Sequence, residues 1–75
     1  MKIQVYTVAG RHHDLTVEPT DTILSLKDQI HLLEGISVEQ LRLLFQGANL
    51  SNDSTFESLN IKDGDTIHMV IDIRG

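Results

Sequence analysis

The sequence predicts an α+β fold, one helix laid across a mixed β-sheet, on three observations. Apolar residues alternate with period two in four separate segments, one stripe of helical period lies between the second and third of them, and turn residues mark the junctions. A helix covering one face of the sheet buries the inward residues of all four strands at once. The 75 residues are expected to form one domain, 1–75, near the size at which one hydrophobic core is only just sufficient.

The elements follow in order. Residues 1–7 alternate, with Met1, Ile3 and Val5 on one side and Lys2, Gln4 and Tyr6 on the other, which is the pattern of a half-buried strand. Val8-Ala9-Gly10-Arg11 is a short connection, and Leu15 and Val17 resume the alternation over 12–17, so the two strands read as a hairpin. His13 falls on the inward face of the second strand, where an aliphatic residue is expected, and is assigned to its open end. Thr22 or Asp21 is a good N-cap and Gly35 a natural C′ residue, bracketing a helix at about 23–34. Ile23, Leu26, Ile30 and Leu33 form its core stripe with Lys27 alongside, while Leu24 and Leu32 fall off the stripe and offer a second apolar surface. Over 40–45, Leu41, Leu43 and Phe45 turn inward, leaving Arg42 and Leu44 outward. Gln46-Gly47 is a turn, Phe56, Leu59 and Ile61 have the spacing of a short helical turn, and Asp63-Gly64 is another turn signal. The last strand, 66–73, sets Ile67, Met69, Ile71 and Ile73 against Thr66, His68, Val70 and Asp72.

Composition narrows the function classes. With no cysteine, a thiol nucleophile, a disulfide and a cysteine zinc site are all excluded. The net charge is −5 and the six Lys and Arg residues are scattered, which argues against nucleic acid as a partner. No apolar run approaches the roughly 18–20 residues of a membrane span, and the N-terminus lacks a signal-peptide stretch, so a soluble chain of the cytoplasm or nucleus, with no membrane partner, is the expectation. No serine sits in a nucleophile elbow. His12 and His13 point to opposite faces of a strand and do not share an ion. Asp63-Gly64-Asp65 is too short for a calcium loop, and the isolated glycines make no phosphate cradle. Neither an enzyme nor a cofactor-binding protein is expected.

What stands out is the outward face of the sheet. Val8, Leu44, His68 and Val70 form one small apolar patch there, with Arg42 at its rim, provided the strands that carry them are neighbours. A contiguous exposed patch of this kind usually marks a binding surface.

The residues that carry these features also carry a family pattern. Met1-x-Ile3-x-Val5-x-Thr7, Leu15-x-Val17-Glu18-Pro19-x-Asp21-Thr22-Ile23, Lys27, Ile30, Glu34-Gly35-Ile36, Gln40-x-Arg42-Leu43-x-Phe45-x-Gly47, Asn60-Ile61, Thr66-x-His68-x-Val70 and Arg74-Gly75 together resemble ubiquitin over the whole chain without a gap. Membership of the ubiquitin-like family implies the β-grasp fold, with the first and last strands parallel neighbours in mid-sheet. It also implies that Val8, Leu44, His68 and Val70 form the surface recognised by ubiquitin-binding domains and by receptor subunits of the proteasome. The expected protein is a monomer whose contacts are weak and transient.

The departures from ubiquitin are informative. Of the lysine positions used for chain building only Lys27 remains as a linkage lysine, while Lys2 and Lys62 are new. Asp72 stands where ubiquitin has an arginine read by its activating enzyme, and a reversed charge at an interface can cost several kcal/mol. Two functions from different classes follow. The chain is either an interaction domain that docks through the patch, or a covalent modifier joined through its tail, Arg74 and Gly75, to lysine amines by activating, conjugating and deconjugating enzymes. A slim glycine end suits the narrow channels of such enzymes. The single terminal glycine and Asp72 favour the docking domain.

Overall fold

The computed structural model describes residues 1–73; the tail residues Arg74 and Gly75, singled out above for conjugation, lie outside the described residues. In chain order the elements are β1 (Lys2–Thr7), β2 (His12–Thr16), α1 (Ile23–Glu34), a 3₁₀ turn (Val38–Gln40), β3 (Leu41–Phe45), β4 (Ala48–Asn49) and β5 (Thr66–Ile71). The strands lie in the order β2-β1-β5-β3-β4. β1 and β5 run parallel in the middle, with β2 antiparallel to β1 and β3 antiparallel to β5. One helix over a mixed sheet is the α+β architecture that the sequence pattern predicts and the β-grasp that the resemblance implies.

Local chemistry explains the helix and the turns. The Thr22 hydroxyl accepts a hydrogen bond from the Ser25 N–H at 3.3 Å, satisfying one of the free donors of the first turn. At the other end Gly35 adopts φ 71° and its N–H donates to the His31 carbonyl at 2.8 Å, a left-handed stop that a β-carbon would strain. β3 turns into β4 through Gln46 and Gly47, both at positive φ (52° and 82°), the geometry of a two-residue hairpin loop that matches sheet twist.

The core forms where the period-two and helical patterns meet. Ile3 and Val5 of β1, Ile67 and Met69 of β5 and Leu41 and Leu43 of β3 are buried beneath Ile23, Leu26 and Ile30 of α1. Phe56 and Ile61, from the turn region before β5, are buried with them. There the Leu59 N–H donates to the Thr55 and Phe56 carbonyls at 3.2 Å, so a helical turn sets the spacing of the inward residues.

Inward assignments fail at element ends. Leu33 is 52 % exposed. Glu34 takes the last place on the stripe instead, because it lies one turn beyond Ile30 and meets polar partners from β2. His13 Nε2 is hydrogen-bonded to Glu34 Oε2 at 2.6 Å, and the Arg11 guanidinium donates to Oε1. The inward histidine is thereby matched. Its hydrogen bond draws the Glu34 carboxyl below the ordinary carboxylate value, against the opposing effect of burial, and the Arg11 charge adds to the lowering. Ile71 and Ile73 are also exposed rather than inward, Ile73 by 86 %. β5 ends at Ile71, the last residue of its ladder with β3. The sequence reading also missed β4, whose two residues are too few to show alternation, and the 3₁₀ turn that leads into β3.

Candidate protein-interaction surface

Strand register assembles the outer face of the sheet. β3 pairs with β5 through Leu44↔His68 and Arg42↔Val70, so these four side chains occupy adjacent positions of one antiparallel ladder. Directly opposite residues on such a ladder have β-carbons about 4.5–5.5 Å apart, close enough to form one contact surface. On the other side of β5 the parallel ladder pairs Tyr6 with His68 and Thr7 with Met69. One further step brings Val8, 70 % exposed just past the end of β1, level with Val70.

All five residues singled out from the sequence therefore share one face and one end of the sheet, although they differ in accessibility. Val8 and His68 are exposed, while Leu44, Val70 and Arg42 are half-buried because their ladder neighbours shield them. A half-buried apolar side chain still offers contact surface.

Two residues extend the patch beyond what the sequence suggested. The Tyr6 ring stacks on His12 at 5.4 Å between centroids and meets His68 edge-on at 6.0 Å. His12, Tyr6, His68, Leu44 and Asn49 thus form one row across five strands. The signal for Tyr6 and His12 was only their outward position; their adjacency to the patch depends on register, which no local pattern encodes.

The rim is electrostatically closed. Arg42 donates to Asp72 Oδ2 at 3.0 Å, and the Asp72 N–H donates to the Gln40 carbonyl at 2.7 Å. The residue that departs from ubiquitin's pattern is thus bound to the cation at the edge of the patch.

The other candidates separate from this face. Lys27 is only 5 % exposed, and its Nζ donates to Asn52 Oδ1 at 2.6 Å, so the amine named as a linkage lysine is turned inward. Burial pushes the Lys27 amine below its ordinary range, and the nearby Arg42 charge adds to the lowering. Leu24 and Leu32 are exposed, and Leu32 joins Leu15, Gln29 and Leu33 around a shallow hollow between β2 and α1. His12 and His13 lie on opposite faces, the first against Tyr6 and the second against Glu34. Among the described residues no three His, Asp or Glu side chains converge to hold a metal ion, and no helix is long and apolar enough to cross a membrane.

Comparison with known proteins agrees with this architecture. The model of the ubiquitin family matches residues 3–74. The chain belongs to the ubiquitin family. It is 32 % identical to Ubiquitin-like protein 1 of Schizosaccharomyces pombe over 75 residues, covering the whole of this chain and 96 % of that protein. It is 33 % identical to the Ubiquitin-like protein NEDD8 of Dictyostelium discoideum, again over the whole chain and 97 % of the relative. It is 34 % identical over 71 residues to the Ubiquitin domain-containing protein DSK2 of Saccharomyces cerevisiae, covering 93 % of this chain and 19 % of that longer protein. This ubiquitin-family fold thus has relatives of its own length and a relative in which it is a small part of the chain.

Proposed function

We propose that this chain is a protein-interaction domain of the ubiquitin pathway that docks through Val8, Leu44, His68 and Val70 onto ubiquitin receptors or receptor subunits of the proteasome. The observation that carries the reading is the register of β3 against β5, which juxtaposes Leu44 with His68 and Arg42 with Val70 on the outer face. The row through Tyr6 enlarges that face, and the Arg42–Asp72 pair removes a free cation from its rim. A partner helix with small apolar side chains fits such a surface, where a few central contacts supply most of the binding energy. The match to a ubiquitin domain within the longer DSK2 protein supports the docking reading.

A titration of the isotope-labelled chain with a purified ubiquitin-binding helix tests it. Amide shifts at Val8, Leu44, His68 and Val70 are expected, and Leu44→Ala with Val70→Ala removes them while the dispersed spectrum of the folded domain persists. Shifts confined to another face, or none at all, refute the docking site.

The second reading is a covalent modifier joined through Gly75 to lysine amines. It is supported by relatives of nearly the same length, of which this chain covers 96 % and 97 %. Asp72, standing where ubiquitin has an arginine read by its activating enzyme and paired here with Arg42, weighs against that route. Supplying ATP and activating enzymes to the chain extended by one glycine discriminates the two: a thioester-linked adduct supports the modifier, and its absence with every activating enzyme eliminates it.

A further inference from the structure

The outer face carries more than the apolar patch. Tyr6 stacks on His12 with ring centroids 5.4 Å apart and planes inclined by 25°, and His68 meets Tyr6 edge-on at 6.0 Å and 62°. Stacked and edge-on contacts hold the rings in fixed relation, because electron-rich faces and positive edges attract one another. Tyr6 nevertheless stays 40 % exposed, and His12 and His68 are exposed.

Asp14 adjoins this row. It is the next outward residue after His12 on β2 and lies directly opposite Gln4, one diagonal step from Tyr6. Diagonal neighbours on an antiparallel ladder are about 7–8 Å apart, within the span of one long side chain. Asp14 is exposed, and among the described residues no hydrogen bond or ion pair engages its carboxylate, not even from Lys2, its other diagonal neighbour. The arginines beside the face are already matched, Arg11 by Glu34 and Arg42 by Asp72. An open carboxylate therefore stands next to a fixed stack of rings, in a chain of net charge −5.

That combination selects a guanidinium group. A cation above an aromatic ring is drawn by the ring's quadrupole. A planar guanidinium stacks on the ring and still directs N–H groups at a carboxylate lying in its plane, whereas an ammonium is a compact, hydrated point charge with no face to stack.

We propose that the Tyr6–His12 stack and Asp14 form an arginine subsite, which takes one arginine of the partner helix seated on Val8, Leu44, His68 and Val70. The inference rests on the docking reading and adds what the partner must carry. β2 lies two strand spacings, about 10 Å, from β5, so an arginine at the end of a helix seated over His68 passes across Tyr6 toward Asp14. Neither Tyr6, His12 nor Asp14 belongs to the apolar patch, so the subsite adds selectivity to a contact that apolar burial alone leaves unselective.

The test titrates the isotope-labelled 1–75 chain with N-acetylarginine amide and with its uncharged isostere N-acetylcitrulline amide. A second arm uses a ubiquitin-binding helix with arginine at both ends and its citrulline counterpart. Arginine amide is expected to move the amides of Tyr6, His12 and Asp14, citrulline amide to leave them in place, and the arginine helix to bind roughly three- to tenfold tighter than the citrulline helix. Tyr6→Ala and Asp14→Asn each remove the preference, while the dispersed spectrum persists and shifts at Leu44 and Val70 still report helix docking. Equal binding of the two helices, a preference that survives both variants, or arginine-amide shifts spread over carboxylates of other faces, the mark of attraction to net charge alone, overturns the proposal. A helix that fails to bind while arginine amide still shifts Tyr6, His12 and Asp14 refutes the docking reading instead and leaves the subsite standing.

Discussion

Arg42 and Asp72 tie the end of β5 to β3: the guanidinium donates to the carboxylate at 3.0 Å, beside the backbone bond from the Asp72 N–H to the Gln40 carbonyl. The Arg42 side chain remains 37 % open to solvent, so water and salt screen the pair. Asp72→Ala is therefore expected to lower stability by about 1 kcal/mol or less, with a similar coupling in the double cycle with Arg42→Ala, read by urea denaturation. The larger consequence is electrostatic. The variant exposes an uncompensated cation at the patch rim, and binding of an acidic peptide, followed by NMR, should tighten and become more salt-dependent. Unchanged binding in 20 mM and 200 mM salt, roughly a threefold span of Debye length, means that Arg42 is not freed.

Glu34 predicts a specific acid response. Its carboxyl is held below the ordinary value of 4.5, first by the His13 hydrogen bond. The folded state thus binds the proton less readily than the unfolded chain, and the resulting stabilisation is complete above pH 4.5 and lost as pH falls through the folded value. Glu34→Gln cannot supply that difference. Denaturation from pH 7 to pH 2 should show the wild type more stable near neutrality and converging with the variant at the acid end. Parallel curves over the whole range would exclude a perturbed Glu34.

Much of this fold is legible in the sequence because its signals are local. Thr22 and Gly35 bracket the helix by capping chemistry, and Ile3, Val5, Ile67 and Met69 announce their face by alternation. Legibility ends where a residue's environment is supplied from a distance. Periodicity counts Leu33 as apolar and inward, yet Glu34 wins the position because His13, 21 residues earlier, faces it. Lys27 looks like a flank of the stripe, but Asn52, 25 residues later, lets it turn inward. The candidate site divides the same way. The outward positions of Arg42, Leu44, His68 and Val70 follow from alternation alone, whereas the addition of Tyr6 and His12 requires the register of three strands.

Lys27 carries a prediction of opposite sign. Burial and the Arg42 charge lower its pKa from 10.5, so at neutral pH the protonated amine costs the folded state stability. As pH rises through the folded value toward 10.5 the folded state releases its proton first, and stability rises relative to a chain without this group. Lys27→Met removes the buried charge and leaves the exposed Asn52 amide to water. The variant should equal or exceed the wild type in stability at pH 7, with the wild type gaining on it as pH rises toward 10.5, as read by paired thermal melts. A steep loss at pH 7 would mean that the Asn52 bond outweighs the burial of charge.

The contrast between Phe56 and Ile73 tests where the core ends. Phe56 is fully buried, while Ile73 is 86 % exposed although helical-turn spacing and strand alternation respectively assign them to the interior. Truncating a buried phenylalanine costs about 3–5 kcal/mol through lost transfer energy and the cavity left behind. A domain of this class has only about 5–15 kcal/mol in total. Phe56→Ala should therefore bring the chain close to unfolding at 37 °C, whereas Ile73→Ala should change stability by no more than about 0.5 kcal/mol. Circular dichroism melts of the two variants decide between the alternatives. A cost above about 1 kcal/mol for Ile73→Ala would extend the core past Ile71 and restore the alternation that the sequence suggests.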